Sequence, residues 1–182
     1  MSYIEDLLVE YKNLVTMPWQ KGLAGPQKVW FVIYDPAQER RLRYRLADFE
    51  AATLQGGHAW RHLDLTDAFA TWMAAHEYHE EYFREPELMA YALDDFVKSL
   101  SETIKAVLTA PDVDDNTVVA ISGLASLFGL TRVSALIDSV NRGVKGRLVA
   151  FFPGDHDEQN HFRLLDARDG WDYLAVPIKV RR

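Results

Sequence analysis

Four apolar runs of this 182-residue chain end in residues able to do chemistry: Asp35, Asp64, Ser122-Gly123 and Gly154-Asp155-His156. In an open α/β sheet, ligands sit beyond the carboxyl ends of the strands, so these positions are the ones to weigh first. Asp35, Asp155 and His156 could converge as metal ligands or acid–base groups, the equipment of a metal-dependent hydrolase or nuclease. Asp35, Gly123, Ser126 and Arg132 could instead line a strand-end cleft for a small ligand or nucleotide, as in a regulator. Aspartate and glycine are also the ordinary punctuation of strand ends, which is the structural reading of the same residues. No residue is assigned a catalytic role.

Motifs that would decide between these readings are missing. The segment Gly123-Leu124-Ala125-Ser126-Leu127-Phe128-Gly129-Leu130-Thr131 lies where a phosphate-binding loop belongs. A P-loop has four residues between its glycines and a Lys before the Ser/Thr; here five intervene and Leu130 holds the lysine's place. Ser126 and Ser134 have no Gly-x-Ser-x-Gly elbow, and no dinucleotide-binding glycine pattern occurs. His76 and His79, amid Glu77, Glu80 and Glu81, lack the His-Glu-x-x-His spacing of a helix-borne zinc pair. His58 with His62, and His156 with His161, read as surface pairs. The chain has no cysteine, which excludes disulfides, thiolate metal sites and cysteine nucleophiles together. Neither a cofactor nor a resident metal is expected.

Two surface features point to partners. Arg40, Arg41, Arg43 and Arg45, with Lys179, Arg181 and Arg182, form basic clusters. A formal net charge of −7 nevertheless argues against non-specific nucleic-acid or anionic-membrane binding. Trp19, Trp60, Tyr78, Tyr82 and Phe83 lie in segments too polar to be wholly core. Large aromatics in such places are typical interface anchors, and Arg41 and Arg45 of the basic cluster are candidates for partner contact with them.

These residues must be positioned by alternating helices and strands. An amphipathic helix is expected over residues 1–16, with Ile4, Leu7, Leu8, Tyr11, Leu14 and Val15 on one face and too many charges between them for a signal peptide. Val29-Trp30-Phe31-Val32-Ile33-Tyr34 is apolar without a break, as a strand buried on both faces should be. Asp35-Pro36 opens a helix marked by Leu42, Leu46 and Phe49 and closed by Gly56-Gly57. A weak strand over 58–65 follows, then a helix carrying Phe69, Trp72 and Met73, capped by Thr66 or Asp67. After a charged connection at 76–87, a five-turn helix runs from Met89 to Leu108. A strand over 117–121 and a helix with Val133, Leu136, Ile137 and Val140 lead to a strand over 147–152 that Pro153-Gly154 should stop. Residues 161–178 read as an edge strand or hairpin, Phe162 to Leu165 and Tyr173 to Val176, turning at Asp169-Gly170. The expected architecture is one domain, 1–182, an α/β three-layer α/β/α sandwich. Its mainly parallel sheet has about five strands, P-loop-like or Rossmann-like but lacking a phosphate-binding motif. No run approaches the length of a membrane span, so a cytoplasmic location is expected.

Several segments together resemble the BrxB family of bacterial BREX (bacteriophage exclusion) systems. They are Lys21-Gly22-Leu23-Ala24-Gly25, Phe31-Val32-Ile33-Tyr34-Asp35-Pro36, Val119-Ala120-Ile121-Ser122-Gly123-Leu124-Ala125-Ser126-Leu127-Phe128, and Val149-Ala150-Phe151-Phe152-Pro153-Gly154. All are strand ends and turns, so the resemblance carries no catalytic residue over. It implies antiphage defence in an accessory or scaffolding role beside a PglZ-type alkaline-phosphatase-like protein and other components of the system. A homodimer is left open, and no direct nucleic-acid or membrane contact is expected.

Overall fold

The computed structural model describes residues 2–171 and 174–180. Tyr173, Arg181 and Arg182, to which strand or basic roles were assigned above, lie outside the described residues.

Helix α1 (Tyr3–Val15) opens on Ser2, whose N–H donates to the Glu5 carboxylate at 2.8 Å. It buries Ile4, Leu7, Tyr11 and Val15. Strand β1 (Val29–Tyr34) is buried along its whole length, as its unbroken apolar run requires. Helix α2 (Glu39–Gln55) follows a short turn over Pro36–Gln38. Strand β2 (Ala59–Asp64) is mostly exposed because it forms one edge of the sheet. Helices α3 (Ala68–Ala75), α4 (His79–Arg84) and α5 (Leu93–Leu108) lead to β3 (Thr117–Ser122). Then come α6 (Val133–Val140), β4 (Arg147–His156), β5 (His161–Leu164), β6 (Ala167–Trp171) and β7 (Val176–Ile178).

The main sheet has the order β2-β3-β4-β1-β7, with every neighbour parallel. Helices α1 and α2 cover one face around Tyr11, Trp30, Phe49, Val149 and Phe151. Helices α3, α5 and α6 cover the other, around Phe31, Phe96, Ile104, Leu136, Phe152 and Phe162. This is the expected three-layer α/β/α sandwich with a mainly parallel sheet. Phe31 stacks on Phe152 at 5.2 Å and meets Phe162 edge-on at 5.0 Å. Fully burying each such ring contributes about 1.5–3 kcal/mol.

Several local expectations are corrected. Pro153-Gly154 does not stop β4, which runs on to His156. Its first part pairs with β1 and β3; from Gly154 onward it pairs antiparallel with β5 instead. Proline and glycine mark the change of partner. A Cβ on Gly154 would lie 1.8 Å from the Arg163 carbonyl oxygen, so only glycine lets β5 approach. Asp169-Gly170 is not the hairpin turn but lies inside β6. The turn falls at Leu165, whose φ of 56° and N–H bond to the Pro153 carbonyl at 2.8 Å reverse the chain. Neither Thr66 nor Asp67 caps α3 through its side chain: Asp67 is the N-cap residue but makes no side-chain cap bond, and the Thr66 N–H and hydroxyl both donate to Asp64. Met89 belongs to a 3₁₀ turn, Pro86–Tyr91, rather than to the long helix. The charged connection at 76–87 contains α4.

Candidate functional site

At the carboxyl ends of the strands, β1 leaves toward α2 on one face and β4 leaves toward the β5–β6 hairpin that packs on the other. Neighbouring strands whose connections part in this way leave a crevice between them. Here it is a cleft of about 810 Å³ lined by Ile33, Asp35, Gly154, Asp155, Glu158 and Lys179, among others. Asp35 is at its rim because its carboxylate accepts the Ala37 N–H at 2.8 Å, which fixes the turn into α2. The Asp155 carboxylate accepts the N–H of His156 at 2.8 Å. Lys179 donates to the His156 carbonyl at 3.0 Å. The His156 ring packs on Phe162 at 4.5 Å between centroids, and its Nε2 meets Asn160 Oδ1 at 2.9 Å. Its Nδ1 is buried, with no hydrogen-bond partner among the described residues. Asp35 and Asp155 thus share one cleft, while His156 is built into the hairpin. Among the described residues no group of three or more His, Asp or Glu is placed to hold a metal ion.

Gly123, Ser126 and Arg132 do not line that cleft. Gly123 has φ +77°, and a Cβ there would come within 2.6 Å of Thr66 and Asp64, so the position is fixed by the crossing of two turns. The Ser126 hydroxyl is shared between the carbonyls of Gly123 at 2.7 Å and Leu65 at 3.0 Å. Arg132 is exposed at the N-cap of α6. A helix N-terminus after a parallel strand is the usual seat of a phosphate. In this chain the seat is filled from within: the Asp169 carboxylate accepts the N–H of Val133 at 2.6 Å and of Ser134 at 2.7 Å. The Ser134 hydroxyl donates to the Asp169 carbonyl at 2.8 Å. Burial pushes the Asp169 carboxyl above its ordinary range, against these hydrogen bonds, which favour the charged form.

A polar chain missed by the sequence reading crosses the strand ends. The Tyr34 hydroxyl donates to Glu39, Glu39 accepts from Arg43 Nε at 2.7 Å, and Arg43 Nη2 donates to the Thr66 hydroxyl at 2.6 Å. Burial, then Glu39, holds the Tyr34 phenol far above its ordinary range, so it remains a donor. At Asp64 burial raises the carboxyl, but the Thr66 bonds and Arg43 outweigh it and the group titrates low. Arg43 shows in the sequence as one of a basic cluster, and its spacing of one helical turn from Glu39 in α2 is the signal that would have paired the two.

The anchors expected at the surface separate into two groups. Trp19 and Trp60 are half-buried against the α1–α2 side of the core, and Arg45 pairs with Asp48 at 2.5 Å. Arg41 is exposed on α2. Tyr78 and Phe83 are exposed, at 53% and 69%, and Tyr82 is half-buried with its ring 5.1 Å from that of His76. Tyr44 at 86% and Tyr91 at 84% are more exposed than any of these. Tyr44 could have been found from spacing, since it lies two residues, about 200°, from Leu42 and so faces away from the buried stripe. Residues 76–95 hold seven acidic side chains against Arg84 alone, so that one insertion carries six of the chain's seven net negative charges.

No protein-family model, curated protein or solved structure matches the chain.

Proposed function

We propose that the chain is a non-catalytic accessory protein of an antiphage defence system of the BREX kind. In this reading it docks on a PglZ-type alkaline-phosphatase-like partner through the insertion between β2 and β3. The observation that carries the docking surface is the coincidence, within residues 76–95, of Tyr78, Phe83 and Tyr91 standing exposed among seven acids. Exposed rings supply apolar contact area, and concentrated like charge steers association with a basic face and rejects acidic ones. The partner's identity rests on the resemblance of the strand-end segments to the BrxB family.

Co-expression with the PglZ-type protein, followed by size-exclusion chromatography at low and moderate salt, tests this reading. Co-elution that is lost in a Tyr78→Ala, Phe83→Ala, Tyr91→Ala triple variant is expected. Separate elution of the wild-type chain at both salts would overturn it.

A second reading, a small-ligand regulator, is favoured by the cleft that Asp35 and Asp155 share. A nucleotide that saturates such a cleft at about 100 times its Kd would stabilise the fold by about 2.7 kcal/mol, readable as a thermal shift. No shift across a nucleotide panel would remove this alternative.

A further inference from the structure

The opposite edge of the sheet, where the strands begin, gathers polar and charged side chains from the starts of four strands. Lys28 immediately precedes β1, His58 precedes β2, Asp115 and Asn116 precede β3, and Lys145 and Arg147 flank the start of β4. With Lys21 and Trp19 from the loop after α1 they line a pocket of about 460 Å³.

Arg147 is the unusual member. It is 6% exposed, yet among the described residues no carboxylate lies within ion-pair distance of it. Its Nη1 donates to the Gly146 carbonyl at 3.0 Å and its Nη2 to the Gln20 carbonyl at 3.2 Å. Among the described residues its buried Nε has no hydrogen-bond partner, and neither has the indole Nε1 of Trp19. The guanidinium lies 4.7 Å from the Trp19 ring, whose stacking partner is His58 at 3.7 Å. Both nitrogens of His58 are engaged, by Asn116 Oδ1 at 2.6 Å and the Val15 carbonyl at 3.1 Å, so the stack is fixed in place. Lys28 and Lys145 each donate once to a carbonyl, of Val144 at 3.1 Å and Val113 at 2.8 Å, leaving further N–H bonds to give.

Burying a cation without a counter-charge is costly, and cation–π contact offsets only part of that cost. Among the described residues the lining carries Lys21, Lys28, Lys145 and Arg147 against Asp115 alone, an excess of three positive charges. We infer that this pocket binds a phosphate group, borne by a small molecule, at the amino-terminal edge of the sheet. A phosphomonoester brings close to two negative charges and three strong acceptor oxygens, matching the remaining N–H groups of the guanidinium and the surrounding lysines better than a singly charged carboxylate does. Both faces of Trp19 are already covered, so selectivity comes from charge and hydrogen bonding rather than ring stacking. The site is independent of the aromatic insertion and of the cleft at the other end of the strands.

The test is an NMR titration of the ¹⁵N-labelled chain with inorganic phosphate at constant ionic strength. It follows the Trp19 Nε1–H resonance, identified by its loss in Trp19→Phe. A saturable shift, weakened about tenfold or more by Lys145→Met, is expected. Lys145 is exposed, so its variant keeps the test open should Arg147→Met fail to fold. Acetate at the same ionic strength serves as the carboxylate probe. No Trp19 shift through about 10 mM phosphate, an equal response to acetate, or a shift unchanged in Lys145→Met would each overturn the inference.

Discussion

The Tyr11 hydroxyl donates to Thr53 Oγ1 at 2.6 Å, and Thr53 passes its own proton to the Phe49 carbonyl at 2.8 Å. Both side chains are fully buried, and the pair ties α1 to α2 beneath the sheet. The two ends of this bond are not equivalent. Tyr11→Phe removes a donor and leaves Thr53 still bonded to Phe49, so the loss should be about 0.5–1.5 kcal/mol. Thr53→Val strands the phenol in an apolar layer and should cost more, about 1–3 kcal/mol. Urea unfolding of both single variants and the double variant checks the order, and the double should cost less than the sum.

Gly123 and Gly129 share a φ of 77°, but only Gly123 meets atoms where a Cβ would stand. Gly129→Ala should therefore cost about 1 kcal/mol, the backbone strain alone. Gly123→Ala adds collision with Thr66 and Asp64 and should exceed it by at least about 1 kcal/mol. Chemical denaturation of the two variants side by side separates strain from crowding.

Asp169 is the cap of α6, held 36 residues away in sequence. Asp169→Ala should expose the first turn of that helix and cost about 2 kcal/mol. Amide hydrogen exchange should accelerate first at Val133 and Ser134. The native carboxyl titrates above its unfolded value. Its contribution through ionisation is therefore complete below the unfolded pKa, near 3.9, and declines as pH rises through the raised native value.

Asp114 behaves in the opposite sense. The Thr117 hydroxyl, then the Asn116 N–H, hold its carboxyl below the ordinary range. Its contribution is present above the unfolded value near 3.9 and is lost as pH falls through the lower native one. Asp114→Asn should flatten the acid limb of a plot of melting temperature against pH while changing the neutral region less.

The fold was legible wherever local pattern and tertiary role agreed. Val29 to Tyr34 reads as a doubly buried strand and is one; Val133 to Val140 reads as a helix with those bounds. The failures come where a distant partner overrides local punctuation. Pro153-Gly154 looks like a stop, but β5 arrives to continue the ladder. Asp169-Gly170 looks like a turn, but its aspartate is committed to α6. The same logic governs the sites. Asp35 and Asp155 were visible because strand ends are predictable places. Lys28, Lys145 and Arg147 were not, because Lys28 stands before β1 while Lys145 and Arg147 stand at the start of β4, more than 100 residues on, and only the sheet's order brings them together.

That order has a further consequence during synthesis. Strand β1 lies between β4 and β7, and both of its partners come from the last quarter of the chain. At ordinary elongation rates the ribosome needs on the order of 10 s after making Tyr34 to supply them. Through that interval six consecutive uncharged residues, valine, tryptophan, phenylalanine, valine, isoleucine and tyrosine, stand without sheet neighbours, in a composition suited to cross-β pairing between nascent chains. The helices made meanwhile, α1 and α2, bury one face of this segment but leave its backbone edges open. The sheet around the first strand can therefore close only after the last quarter of the chain has been made.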